Sequence, residues 1–354
     1  MCIRDSYYAF GKTPVSVQSI YETVTANPLV TWETAKTWNI GFSSQFLNGK
    51  LGLDLDYFQS NRNDILITRN ASIPTYSGLS LPAENLGKVK NHGFEAIATY
   101  RDSKGDFEWG VTGNVTYAKN EVVYADEAAD TPAWQRETGH PIDGGTYYKA
   151  LGIYQTQEQI ESTPHLSGTK IGDLIYQDTN KDGNITWDDA VRRDKSATPK
   201  WIFGLTLNGS WKGMDVNAFF QGQADAEILV QPTMNMATDF YEGRWSESNT
   251  AEQNAAAKWP RAFMKASSVD NRNSQSSTWW LRDASFVRLK SLEIGYTFPK
   301  TLISPLGVEK LRLYVNGNNL FTIDSVGIFD PEMTNGIRGY SLQRSWTFGL
   351  NVTF

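Results

Sequence analysis

One cysteine in 354 residues, Cys2, leaves no room for an internal disulfide framework or a Cys-based zinc site. No apolar run approaches the roughly 18 uninterrupted residues of a membrane-spanning helix. Mean hydropathy is −0.44, so a helical membrane protein is excluded. Lys/Arg-rich runs are also missing, and 33 basic against 39 acidic residues give a net charge of −6. The basic footprint that a nucleic-acid partner requires is therefore absent. The three histidines, His92, His140 and His165, are scattered, with no HExxH motif. No GxSxG elbow, P-loop or dinucleotide fingerprint occurs, and no enzymatic activity is expected. The opening "MCIRDS" lacks the charged and apolar regions of a signal peptide.

What the chain has in abundance is aromatic residues: 12 Trp, 16 Tyr and 17 Phe. They fall in segments of strict alternation. In "KLGLDLDYF", Leu51, Leu53, Leu55 and Tyr57 share one face, with Gly52, Asp54 and Asp56 opposite. Phe107, Trp109, Val111, Val115 and Tyr117 oppose Glu108, Thr112, Asn114 and Thr116. Trp201, Phe203, Leu205, Leu207 and Trp211 oppose Gly204, Thr206, Asn208 and Ser210. In the last segment Trp346, Phe348, Leu350, Val352 and Phe354 oppose Ser345, Thr347, Asn351 and Thr353. A period of two gives one dry and one wet face, and so an all-β protein. Asp54 and Asp56, two residues apart on one strand, read as a polar face and not as a glycosidase pair.

Connection lengths alternate too. Tight turns at Asn48-Gly49, 103–106 and Lys212-Gly213, and a compact link at 299–310, separate long excursions at about 60–91, 120–197, 224–283 and 321–342. Short turns on one side and long loops on the other, with Trp201, Trp211 and Trp346 near strand ends, mark an outer-membrane β-barrel. Nine strands are expected, at 35–47, 50–60, 92–102, 106–119, 199–211, 214–223, 285–298, 310–320 and 344–354. A tenth is expected if "SYYAFGK" precedes them. By parity the C-terminus lies on the periplasmic side. So few strands leave an unpaired edge, which lipid does not tolerate. The expectation is therefore the C-terminal part of a larger barrel, with residues 1–6 an assembly or cloning remnant. Residues 1–26 would be the truncated start and 27–354 the barrel portion.

Several motifs then become specific. "NPLVTWETAKTWNIGF" with "GKLGLDLDYFQSNRNDIL" resembles a strand pair of the SusC/RagA family, the TonB-dependent outer-membrane transporters of Bacteroidetes. "FVRLKSLEIGYTFPKTL", "LRLYVNGNNLFTI…FDPE", "GDLIYQDTNKDGNI" and the ending "SWTFGLNVTF" resemble further segments of that family. The resemblance implies a roughly 22-stranded barrel with a plugged lumen. It also implies import of oligosaccharides or peptides, a SusD-like surface lipoprotein as lid, and TonB acting through an upstream segment. The plug and the TonB-contacting part would lie upstream as well, so this polypeptide alone would not be transport-competent.

Residues 178–189, "DTNKDGNITWDD", read as an EF-hand-like calcium loop within the 120–197 excursion. Asp178, Asn180 and Asp182 occupy positions 1, 3 and 5, and Gly183 the sharp turn. Asn184 would offer its carbonyl, Thr186 sits at position 9 and Asp189 at position 12. Asp189 stands where Glu is usual, and its shorter arm reaches less easily as a bidentate ligand. No helical pattern flanks the loop, so a structural Ca2+ is expected in place of a sensor.

The excursions are rich in rings, and Trp134, Tyr147, Tyr241, Trp245, Trp279 and Trp280 are candidates for stacking on substrate. The competing role for each is to pack the loops together. The alternation alone also admits a second class of protein, a soluble calcium-stabilised β-sandwich that binds carbohydrate.

Overall fold

Alternating segments satisfy their backbone groups only by pairing edge to edge, and this chain does so by running back and forth. The computed structural model describes residues 6–10, 15–19, 26–69, 81–230, 237–262, 272–327, 329–333 and 340–354. Nine strands form one sheet. They are β1 (Thr34–Phe46), β2 (Leu51–Thr68), β3 (Ala83–Lys104), β4 (Phe107–Tyr124), β5 (Trp201–Trp211), β6 (Met214–Ala224), β7 (Phe286–Thr297), β8 (Lys310–Asp324) and β9 (Ser345–Thr353). Sheet order equals chain order, so the sheet is a meander, as the parity of the sequence requires.

The chain forms two units, one of residues 1–38, 59–92 and 120–142, the other of 39–58, 93–119 and 143–354. In the first, β2 continues to Thr68 and β3 begins at Ala83, so most of the expected 60–91 excursion is strand. Main-chain pairing needs no apolar face, and it continues where side-chain alternation fades. Asn85 ties this region together, donating from Nδ2 to the carbonyls of Thr31 (2.8 Å) and Asp64 (2.7 Å). The segment read as a possible preceding strand forms a separate hairpin, Ser6–Phe10 with Val15–Ser19. Residues 1–5 of the expected remnant lie outside the described residues.

In the second unit the register sorts the chemistry onto two faces. Leu205 pairs with Phe220 and Leu207 with Ala218. Across the next boundaries Val216 meets Ile294, Ile294 meets Val315, and Val315 meets Phe348. The other face aligns Asn208 with Asn217, Asn217 with Glu293, Glu293 with Asn316, and Asn316 with Thr347. A register slip of one residue would exchange the faces. Lys212 and Gly213, both at positive φ, make the two-residue hairpin between β5 and β6. A bulge in β7 between Leu289 and Ser291 sets Arg288 on the polar face beside Thr322. Phe348, Leu350, Trp211 and Leu313 are all exposed, a continuous apolar surface that water does not tolerate and lipid does.

Candidate functional site

The segments between the strands of the second unit have no sustained alternation. They fold around their own core of Trp245, Trp259, Trp280, Tyr148, Tyr176, Ile153, Leu174 and Ile228. Two short ladders frame it, Ala150–Ile153 with Leu174–Tyr176 and Glu227–Leu229 with Leu281–Asp283. Trp259 and Trp280 stack at 5.6 Å with planes 13° apart. The indole Nε1 of Trp280 donates to the Asn273 carbonyl at 2.8 Å. The hydroxyl of Tyr176 donates to the Arg272 carbonyl at 2.5 Å, and burial pushes its pKa well above the usual range. Asp173, fully buried, is paired with Arg261 Nε at 2.6 Å and accepts from Asn273 Nδ2 at 2.8 Å. Its neighbour Gly172 holds φ +88, and a Cβ there would overlap the Trp245 indole. The Gly172-Asp173 pair of the "GDLIYQD" motif is thus what docks the 143–198 segment onto Trp245. Sequence reading quoted that motif without seeing this role.

Beside this core lies a cleft of about 970 Å³. Its lining includes Asp239, Glu242, Arg244, Asn249, Gln253, Lys258, Trp259, Thr278, Trp279 and Arg282. Arg244 lies over the Tyr241 ring at 3.9 Å, and Arg282 over the Trp259 ring at 5.1 Å. Arg282 Nη1 donates to the carbonyls of Trp279 (2.7 Å) and Leu281 (2.8 Å). Burial lowers the Arg282 pKa.

The candidate rings separate by environment. Trp245 and Trp280, with 8% and 1% of their surfaces exposed, are core residues with no face for a ligand. Trp279 is half-buried on the cleft wall, and Tyr241 is 68% exposed near its rim. Tyr147 is half-buried in the two-residue ladder to Val191, and Trp134 is half-buried within the first unit.

The expected calcium loop is a closed turn. Asp178 accepts from the amides of Lys181 (2.7 Å) and Gly183 (2.9 Å). Asp182 accepts from the Asn184 amide (2.7 Å) and Asn180 Nδ2 (2.9 Å), and these bonds hold its pKa below the usual carboxylate range. Asp189, buried, reaches back to the amides of Thr179 (2.7 Å), Asn180 (3.2 Å) and Thr186 (2.8 Å). Gly183 has φ +84, as the sharp turn of such a loop demands. Thr186 caps the turn at 187–189. Among the described residues no three His, Cys, Asp or Glu side chains converge to hold a metal. The donor set itself, oxygens on one tight loop, fits a hard cation.

A family model described as TonB dependent receptor-like, beta-barrel, matches residues 3–320. TonB-dependent receptors P3 and P26 of Formosa agariphila are 29% and 28% identical, over 96% and 93% of this chain. TonB-dependent receptor SusC of Bacteroides thetaiotaomicron is 25% identical over 98% of it. The chain spans about a third of these relatives' length, 36%, 35% and 34% respectively. Among solved structures, the RagAB peptide transporter matches with a TM-score of 0.71 at 21% identity, over 100% of this chain and 38% of that one. The RagAB peptide importer in its open-open state gives 0.69 at 20% identity, over 100% and 38%. At that identity the likeness shows the fold.

Proposed function

The chain belongs to the TonB-dependent receptor-like β-barrel family, and on that footing we propose that it forms part of the wall of an outer-membrane importer of SusC/RagA type. The observation that carries this reading is the two-faced meander, with aliphatic and aromatic residues in register on one face and Asn, Thr, Asp and Glu on the other. Lipid takes the first face and an aqueous lumen the second. Energy would come from TonB through a part of the protein outside this chain. The lobe built from the excursions would sit on the extracellular side, where a SusD-like lipoprotein would close over it, and the C-terminus would be periplasmic. The cargo would be an oligosaccharide or peptide too large for a porin. The RagAB structures of similar fold belong to a peptide importer, which supports peptides as one of the two.

Calcium belongs to the same proposal. Asp178, Asn180, Asp182, the Asn184 carbonyl, Thr186 and Asp189 would hold a structural Ca2+ that braces the 120–197 excursion. Bound there, the ion supplies charge compensation for closely set carboxylates, and it takes no part in chemistry on the cargo.

Membrane fractionation with heat-modifiability on gels tests the reading. An outer-membrane protein whose mobility shifts on boiling is expected. A wholly soluble protein would overturn it.

A further inference from the structure

Buried cations need partners, and four buried or half-buried arginines of the second unit have carboxylates. Arg193 is paired with Glu227, Arg261 with Asp173, Arg288 with Asp330 and Glu332, and Arg312 with Asp215 and Glu293. Arg282 stands in a different setting. Its guanidinium is half-buried on the wall of the 970 Å³ cleft, packed on Trp259, and has no carboxylate among the described residues. One nitrogen, Nη1, is spent on two backbone carbonyls, and Nε and Nη2 have no acceptor among the described residues. Lys258 and Arg244 line the same cleft, also without a carboxylate partner among the described residues. The Trp279 Nε1 is a further buried donor without an acceptor.

The ring faces in the cleft are largely taken. Trp259 is covered by Trp280 on one side and by Arg282 on another, and Arg244 lies over Tyr241. What the cleft offers is therefore donors and positive charge more than a bare stacking platform. A desolvated guanidinium without a counter-ion is costly, and a planar carboxylate bound through two nitrogens relieves that cost. The acids Asp239 and Glu242 are exposed in water, where screening weakens their repulsion of an incoming anion.

We propose that this cleft is a carboxylate-binding subsite, anchored by Arg282 and assisted by Lys258, for the cargo of the importer. The proposal rests on the import reading above and adds the charge of the ligand. The recognised group is a carboxylate, whether it is carried by a uronate or by an acidic residue of a peptide.

The test is calorimetric titration of the detergent-purified full-length protein with four probes: tetragalacturonate, its methyl ester, tetraglutamate and tetraglutamine. At least one acidic probe is expected to bind roughly tenfold to hundredfold more tightly than its neutral twin. Whichever acid binds identifies the source of the carboxylate. Arg282→Lys, which keeps charge and stem but loses the planar fork, should weaken that probe about tenfold. Lys258→Ala, at an exposed position, should weaken it without touching the fold. Equal binding of acid and neutral twin overturns the proposal, as does binding of no probe, or an Arg282→Lys variant within about twofold of the parent. Fractionation and heat-modifiability of the same preparations report on the import reading independently, so the two failures are distinguishable.

Discussion

Arg288 donates from Nη2 to Asp330 at 2.7 Å, and so joins the bulged end of β7 to a segment 42 residues further on. The same guanidinium donates from Nη1 to Glu332 and from Nε to Thr322 Oγ1 at 2.8 Å, with 1% of its surface exposed. The "FDPE" motif is thus a clamp, its two acids flanking buried Pro331 and both held by one arginine. Removing both acids by Asp330→Ala with Glu332→Ala strands a buried charge, and should cost about 3–5 kcal/mol. Adding Arg288→Met to that pair should recover most of the loss. Urea unfolding in detergent, followed by tryptophan fluorescence, measures both. A triple variant as unstable as the double would show that the clamp's packing matters more than its charge.

Two glycines of the sheet predict opposite tolerance. A Cβ on Gly93 would overlap the main-chain carbonyl of Tyr117, which cannot move without breaking the ladder. A Cβ on Gly349 would overlap the Tyr314 ring, a side chain that can turn aside. Gly93→Ala should therefore lower the yield of heat-modifiable protein sharply, and Gly349→Ala should cost on the order of 1–3 kcal/mol and still assemble. Equal behaviour of the two would show that the strands shift to make room.

The nine strands were legible because period-two chemistry and pairing geometry are the same fact: Leu205, Phe220 and Leu289 lie in one register row because each falls on the apolar side of its strand. The lobe was not legible, since its contacts join residues with no local rule between them. Tyr241 and Trp245 are four apart, both aromatic, and differ completely. Trp245 is buried because Gly172 and Gln155 come to it from a distant segment, its Nε1 donating to Gln155 Oε1 at 3.2 Å. Nothing in the local sequence of Trp245 announces that. Strand ends failed for a related reason: β2 and β3 keep pairing beyond the point where their side chains alternate.

That difference is testable. Trp280→Ala removes a stacked, hydrogen-bonded core indole and should cost about 3–5 kcal/mol. It should also open the 143–198 segment to limited proteolysis. Tyr241→Ala, at an exposed ring whose company is Arg244, should change stability by about 0.5–1 kcal/mol. A loss of uptake in Tyr241→Ala with normal membrane levels would then report on cargo or lid contact. A loss in Trp280→Ala would report on folding.

Among the proposed ligands of the 178–189 loop, Asp189 also has a structural role of its own. Asp189 is buried and accepts from three amides, so it closes the turn by hydrogen bonding alone. Asp189→Ala should destabilise the loop by about 1–3 kcal/mol even in a chelator, because those amides lose their acceptor. Asp178 and Asp182 bond to amides and an amide side chain within the turn, at less buried positions. In chelator, Asp182→Ala should therefore cost less than Asp189→Ala. In millimolar calcium the order should change, with Asp178→Ala and Asp182→Ala both losing the ion-dependent gain in melting temperature that the parent shows. Calorimetric Ca2+ titration with proteolysis of the 143–198 segment reads both effects. A parent protein whose melting temperature and cleavage do not respond to calcium would remove the ion from the proposal, and the loop would stand as a turn closed by Asp189.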